Sequence, residues 1–147
     1  MNSIQDKLME QFQNMDNAYE DYVRSKGLTY LSLMVLEEIY ELGGGCTQKR
    51  ISEDTHYPKQ SINLVIKAFL KDGVLELREL LENRKSKGIT LTEKGRRLCA
   101  ETVAPLLAQE SAAMDEIGEA ESRELIRLLE LYGGAYCARI GRLSKAP

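Results

Sequence analysis

The chain has 147 residues, of which 43% are apolar and 29% are charged, and its formal net charge is −3. This length is typical of one domain with its own core, and the apolar fraction argues against an intrinsically disordered chain. No window approaches the ~18 consecutive apolar residues of a membrane span, and the amphipathic, acidic N-terminal segment lacks the apolar core of a signal peptide. We therefore expect a soluble, cytoplasmic protein with no membrane partner.

The cysteine and histidine content excludes several kinds of site. Three cysteines without C-x-x-C spacing fit a reducing compartment better than a disulfide framework. A single histidine, His56, excludes a His-rich metal site. The glycine run at residues 43–45 lacks the Lys-Ser/Thr ending of a phosphate-binding loop, and no nucleophile–base pair is evident. We expect neither an enzyme nor a protein with a bound metal or cofactor.

The positive charge is concentrated in the middle of the chain. Residues 47–97 contain twelve Lys or Arg and seven Asp or Glu, a local charge of +5, whereas the remaining residues carry −8. Contact with phosphate needs local positive charge rather than a basic protein as a whole. The distribution fits a nucleic-acid-binding surface, but chance clustering of solvated charges explains it equally well.

The first half of the chain predicts four helices. Apolar residues recur at steps of three and four over residues 3–25 and 29–42, and Thr29 is a suitable N-cap for the second helix. A short third helix is expected over residues 47–54, and Pro58 suits the first turn of a fourth helix. The apolar stripe of this fourth helix consists of Ile62, Val65, Ile66, Phe69 and Leu70.

The periodicity then changes. Residues 74–78 and 89–91 are rich in strand formers, and the polar segment 82–88 between them has no apolar periodicity, so a β-hairpin with its tip at 82–88 is predicted. Thr92 can cap a long helix that contains Pro105 as a kink, and a last helix completes the chain. The expected fold class is mainly α with one small hairpin.

The fourth helix has the features of a DNA-recognition helix. Lys59, Gln60 and Asn63 occupy its first two turns on the side opposite the apolar stripe. Gln and Asn bond bidentately to adenine and Lys bonds to guanine, and a recognition helix reads bases from its N-terminal residues. We predict these three residues as the base-reading set. Taken alone, the same pattern also describes an ordinary solvated helix face.

The hairpin that follows favours the DNA-reading interpretation. Two short helices followed closely by a hairpin form a winged helix-turn-helix, in which basic residues at the tip of the wing reach phosphates or a minor groove. The residues predicted to contact the DNA backbone or minor groove are Thr47, Ser61, Lys67, Arg84, Lys85 and Lys87.

Three segments of this region resemble the MarR family of bacterial transcriptional regulators. They are TQKRISEDTHYPKQSIN, FLKDGVLEL and NRKSKGITLTEKG, which lie between Thr47 and Gly95, and the flanking helices match the family in order and length. The wing of this family usually carries Asp-x-Arg nine residues before the threonine of the LTEKG segment. Asn83 and Lys85 occupy those positions here, so the positive charge is kept while the contact geometry departs from the family pattern.

The resemblance implies a winged helix-turn-helix domain over residues 29–98 and a helical dimerisation region formed by residues 1–28 and 99–147. It also implies a homodimer that binds a pseudo-palindromic double-stranded DNA operator, more often as a repressor than as an activator, and that responds to a small ligand. The broad apolar stripes of the acidic terminal helices support the dimer independently of the resemblance.

Four tyrosines are candidates for a ligand cleft. The family binds small aromatic or amphipathic molecules between its two layers, where Tyr19, Tyr22, Tyr30 and Tyr40 could lie. Packing in the core is the alternative explanation for each of them.

The three cysteines are not predicted to act as sensors. Peroxide-sensing members of the family use a cysteine in the N-terminal helix, and this chain has none before Cys46. We interpret Cys46 as an inert thiol, with exposure after the glycine run as the alternative, and Cys99 and Cys137 as core or interface residues.

The sequence leaves a second class of function open. A winged helix can bind protein instead of DNA, and this alternative would be favoured if Lys59, Gln60 and Asn63 were buried in a partner interface.

Overall fold

The structure, a computed structural model, describes residues 3–80, 82, 85 and 87–145. Over these residues it contains six helices and one two-stranded antiparallel sheet, so the prediction of a mainly α fold with a small hairpin is confirmed. The elements are α1 (Ile4–Ser25), α2 (Tyr30–Glu41), α3 (Gln48–Thr55), α4 (Lys59–Lys71), β1 (Leu75–Glu79), β2 (Lys87–Leu91), α5 (Glu93–Ile117) and α6 (Glu119–Leu143).

The chain divides into two compact units, and the first extends to Pro105. Its core is formed by the apolar faces of α2, α3 and α4, which pack on one another and on both strands of the hairpin. Removing these side chains from water is the main contribution to its stability. The largest fully buried side chains are Val23, Leu33, Val35, Leu36, Ile39, Ile51, Ile62, Cys99 and Val103.

N-terminal capping by threonine explains where α2 and α3 begin. The Thr29 hydroxyl accepts a hydrogen bond from the Ser32 backbone N–H at 3.2 Å, and the Thr47 hydroxyl accepts one from the Arg50 backbone N–H at 3.1 Å. Each bond satisfies an N–H group that the helix itself leaves unpaired. Pro58 stands one residue before α4, at its N-cap, rather than in the first turn.

The hairpin is longer on its second side than the sequence predicts. β1 and β2 pair with Leu75 opposite Leu91 and with Glu79 opposite Lys87, so Lys87 belongs to a strand and not to the tip. The backbone at Cys46 forms an additional antiparallel bridge with Ile89, whose N–H donates to the Cys46 carbonyl at 2.7 Å. The base of the wing is therefore hydrogen-bonded to the segment between α2 and α3.

The LTEKG segment joins the wing to α5. The Thr92 hydroxyl accepts a hydrogen bond from the Gly95 backbone N–H at 3.0 Å, which caps α5, and donates to the Gly73 carbonyl at 2.5 Å. A Cβ built at Gly95 would lie 2.1 Å from the Val74 carbonyl oxygen, so any side chain there would push α5 off the wing. The Lys94 ammonium donates to the Asp72 carbonyl at 2.6 Å.

The second unit begins at Leu106 and contains the remainder of α5 and the whole of α6. Gly118 adopts φ +88° between the two helices, a conformation that a residue without Cβ takes at little cost. No residue of α6 is buried within the chain. Across the described part of the chain, no helix is both long and apolar enough to cross a membrane.

His56 ends α3 in the left-handed conformation, with φ 57° and ψ 17°. Among the described residues it is the one position other than glycine with a positive φ. Its side chain is exposed, and the cost of this conformation for a residue with a Cβ is about 1–2 kcal/mol.

We expect His56→Gly to raise the free energy of unfolding by about 0.5–1 kcal/mol, because glycine removes the backbone strain. The gain is smaller than the strain itself, since glycine also increases the conformational entropy of the unfolded chain. Urea denaturation at one protein concentration measures the change. His56→Ala is the matched control, since it removes the same imidazole but keeps a Cβ, and it should give no stabilisation. Equal stabilisation by both variants would show that the imidazole, not the backbone, carries the cost.

Candidate nucleic-acid interface

The helix-turn-helix presents one face of α4 to solvent. The buried residues Ile62, Ile66 and Phe69 hold α4 against its neighbours, and the Ser52 hydroxyl donates to the Tyr57 carbonyl at 2.7 Å across the turn that precedes it. The polar residues of the opposite face therefore point away from the core. The structure places Lys59, Gln60 and Lys67 fully on this exposed side, while Ser61 and Asn63 are half-buried.

Gln48 links α3 to the first turns of α4. Its side-chain N–H donates to the Lys59 carbonyl at 3.1 Å, and its Oε1 accepts from Nδ2 of Asn63 at 3.0 Å. Asn63 is therefore held in one orientation and keeps its Oδ1 and a second N–H for a further partner. Gln48 is absent from the residues predicted from the sequence, since no spacing rule connects residues 15 positions apart on two helices.

The three residues predicted to read bases lie together. Lys59, Gln60 and Asn63 line a groove of about 390 Å³ with Gln48 and Leu64. Gln60 is exposed and its amide makes no hydrogen bond within the described chain, so both of its polar atoms are available to an incoming partner. Two amides and one ammonium are thus concentrated at the N-terminal end of an exposed helix.

The residues predicted to contact the DNA backbone lie around this groove and in the wing. The half-buried Thr47 uses its hydroxyl as the N-cap of α3 and still has its hydroxyl proton to donate. Lys85 is exposed in the turn, and Lys87 is exposed in β2 opposite Glu79. Arg84 and the neighbouring Asn83, which stands at the position of the family's wing aspartate, lie outside the described residues.

The structure brings together only part of the predicted tyrosine cleft. The rings of Tyr19 and Tyr30 lie 4.8 Å apart, and their hydroxyls donate to Glu37 at 2.7 Å and to Asp16 at 3.2 Å. Partial burial, followed by the hydrogen bond to Asp16, raises the pKa of Tyr30. These two rings form a pair with an acidic rim.

Tyr22 and Tyr40 lie apart from this pair. The Tyr22 hydroxyl donates to the Thr102 carbonyl at 2.7 Å, which joins α1 to α5, and partial burial raises the pKa of Tyr22. Tyr40 stands ten residues beyond Tyr30 on α2, about 15 Å along the helix axis. It lines a separate cavity of about 360 Å³ between the end of α2 and the base of the wing.

Two of the three cysteines are shielded. Cys46 and Cys99 are buried, and desolvation raises the pKa of each thiol to about 11. The thiolate is the reactive form, so both groups are poor nucleophiles near neutral pH. The interpretation of Cys46 as an inert thiol agrees with this environment, whereas Cys137 is exposed in the chain.

We expect alkylation of the native protein at pH 8 to leave Cys46 and Cys99 unmodified. A thiol with a pKa of about 11 is ~0.1% thiolate at this pH, against about a quarter for an ordinary thiol. Peptide mass spectrometry after timed iodoacetamide exposure measures the rates, with protein unfolded in guanidinium as the control. Equal rates for Cys46 in the folded and unfolded protein would overturn its assignment as a shielded group.

The comparisons with known proteins concern the fold. No protein-family profile and no curated sequence matches the chain. Solved structures do match: a MarR family regulator from Neisseria meningitidis has a TM-score of 0.74 and 23% identity, over 93% of this chain and 96% of that chain. The S. aureus MepR–DNA complex has a TM-score of 0.73 and 13% identity, over 92% of this chain and 97% of that chain.

A third similar structure contains a ligand. CouR from Rhodococcus jostii, bound to p-coumaroyl-CoA, has a TM-score of 0.68 and 21% identity, over 84% of this chain and 87% of that chain. At these identities the likeness establishes the fold. The chain has the winged helix fold of MarR family regulators, as the resemblance of its sequence segments implied.

Proposed function

We propose that this chain, with its MarR-type fold, is a transcriptional regulator of that family that binds double-stranded DNA sequence-specifically as a homodimer and acts as a repressor. The observation that carries the proposal is the groove at the start of α4, where Lys59, Gln60 and Asn63 converge. In this proposal the protein is not an enzyme, and it acts in the cytoplasm, where bacterial DNA lies.

The chemistry of the groove fits the major groove of DNA. An α-helix enters the major groove of B-DNA, where adenine presents a donor beside an acceptor and guanine presents two acceptors. The Gln60 amide matches adenine, and the Lys59 ammonium matches guanine. Asn63, oriented by Gln48, presents its remaining acceptor and donor in a fixed geometry, which lowers the entropy lost on binding.

The basic and hydroxyl groups around the groove would position the helix. Lys67 on α4 and Lys85 and Lys87 in the wing carry the charge that phosphate contacts need, and Thr47 and Ser61 supply hydroxyl donors. Arg84 would add a further charge to the wing. These contacts provide affinity and register but no sequence information.

The apolar surface of α6 supports the homodimer. Leu125, Leu129, Tyr132, Tyr136 and Ile140 are exposed and fall within an arc of about 80° on one side of this helix. An exposed apolar stripe of this length marks an interface. We assign residues 1–28 and 99–147 to dimerisation and residues 29–98 to DNA binding, and a twofold dimer would place two α4 helices on a pseudo-palindromic operator.

We also propose regulation by a small aromatic or amphipathic ligand. The Tyr19–Tyr30 pair offers aromatic surface to such a ligand, and Glu37 and Asp16, which accept from the two tyrosine hydroxyls, hold the rings in place. The bound p-coumaroyl-CoA of CouR is an aromatic ligand on the same fold. Tyr22 and Tyr40 are further candidates, the first beside α5 and the second in its own cavity.

Selection of binding sequences from a random duplex library tests the function. We expect the wild type to select a pseudo-palindrome with half-sites about one helical turn apart, and Gln60→Ala to lose ~1–3 kcal/mol of discrimination at one base pair in each half-site. Asn63→Ala should relax preference at another base pair. Gln60 is exposed and Ala favours helix, so the stability of the variant should stay unchanged.

Lys67→Ala is the matched control on the same helix. It should weaken binding to selected and random DNA alike and lower the slope of log K against log salt by about 0.9 for each phosphate that the variant no longer neutralises. Unchanged base preference in both amide variants would remove the α4 face from base reading. A wild type that selects no sequence would favour the alternative, a winged-helix module that binds protein.

Leu129→Lys tests the dimer. In a twofold dimer, this variant places one lysine of each protomer in the same apolar interface, where both ammonium groups lose water and repel each other. We therefore expect the dissociation constant of the dimer to rise at least about tenfold. Glu130→Lys introduces the same side chain about 100° away on α6 and should leave the dimer intact. Sedimentation equilibrium measures both. A Leu129→Lys variant as tightly dimeric as the wild type would contradict the assignment of α6 to the interface.

A further inference from the structure

Leu64 is an apolar side chain in the middle of a polar surface. It is 70% exposed, and at 100° per residue it lies about 160° around α4 from both Ile62 and Ile66, which are buried. Its neighbours in the groove are Gln48, Lys59, Gln60 and Asn63. A leucine there contributes nothing to the core of the chain.

The position of Leu64 separates it from the other exposed apolar residues. Among the described residues, the large exposed apolar side chains lie mostly on α1 and on α5 and α6, the elements assigned above to dimerisation. The exceptions are Leu64, Tyr40 and Leu77. Tyr40 lies near the wing, and Leu77 belongs to its first strand. Leu64 alone of these shares a groove with the amide side chains of α4.

We infer that Leu64 is a specificity-determining residue that packs on the C5 methyl group of a thymine in each half-site. The inference deepens the proposed function and rests on it. The thymine methyl is the one apolar group that the base pairs present in the major groove, and apolar side chains read it by direct contact. Burying both groups removes apolar surface from water and distinguishes thymine from cytosine.

The placement of Gln60 relative to Leu64 adds a constraint on the operator. The two residues are four positions apart, so their side chains are neighbours on one face of α4. Gln60 matches adenine, and Leu64 matches the methyl group of thymine. We therefore expect the two side chains to contact neighbouring base pairs, at least one of which is A·T. The Asn63 side chain is hydrogen-bonded to Gln48 at 3.0 Å, whereas the Leu64 side chain is exposed to solvent.

Replacing thymine by uracil in the selected operator isolates the methyl group. Uracil keeps every hydrogen-bonding group and the base pair, and lacks only the C5 methyl. With full-length protein, we expect one thymine position per half-site at which uracil weakens binding about fourfold, the loss for one buried methyl group, and about 14-fold when both half-sites are changed. Fluorescence anisotropy with single-position uracil duplexes measures each effect.

The Leu64→Ala variant completes the cycle. It should bind the thymine operator more weakly and should bind the thymine and uracil forms of that position equally well. Leu77→Ala, which removes an exposed leucine from β1 instead, should retain the wild-type sensitivity to uracil. Because Leu64 is exposed and Ala favours helix, the variant should remain folded.

The outcomes distinguish the inference from the function on which it rests. A wild type that selects no sequence overturns both. A wild type that selects an operator but binds every uracil duplex like its thymine parent overturns the inference alone, as does a Leu64→Ala variant that keeps the sensitivity to uracil. Selected half-sites without any thymine in either strand would also overturn it.

Discussion

The missing side chain at Gly95 lets the first turn of α5 lie directly against the backbone of Val74, where a Cβ would come within 2.1 Å of the carbonyl oxygen. Around this close approach the Thr92 hydroxyl bonds to both the α5 backbone and the Gly73 carbonyl, and Lys94 bonds to the Asp72 carbonyl. The end of α4, the start of β1 and the start of α5 therefore meet in one hydrogen-bonded junction. The position of the wing beside α4 depends on this junction, because α4 ends there and the wing begins there.

The other side of the wing is held by the bridge between Cys46 and Ile89, so the hairpin is tied to the helices at both ends of the helix-turn-helix. On the exposed face of α4, the Asn63 side chain is hydrogen-bonded to Gln48, whereas the side chain of Gln60 makes no hydrogen bond within the described chain. Three amides, one ammonium and one leucine line the groove at the start of the helix. We propose that this mixture of polar and apolar groups suits the edge of base pairs, which likewise combines hydrogen-bonding groups with a methyl group.

The surface of α6 has the opposite character. No residue of this helix is buried in the chain, and its exposed side is a continuous apolar stripe. A hydrophobic face of this kind is stable in water only when another surface covers it. The proposed dimer would meet that requirement and would also set the spacing between two α4 helices, so that one interaction supports both the fold and the recognition of a twofold operator.

Local chemistry was enough to predict much of this protein from its sequence. The periods of the apolar residues and the threonine caps at Thr29 and Thr92 predict the helices and the hairpin in their observed order, because each signal depends on neighbours along the chain. The bounds predicted for the first three helices and for the two strands lie within two residues of the observed ones. Contacts between distant residues were decided only by the tertiary structure. Gln48 meets Asn63 because α3 packs on α4, Cys46 is buried because its segment joins the wing, and Tyr40 is separated from Tyr30 by the length of α2. The geometry that brings such residues together arises from packing, and no pattern along the sequence records it.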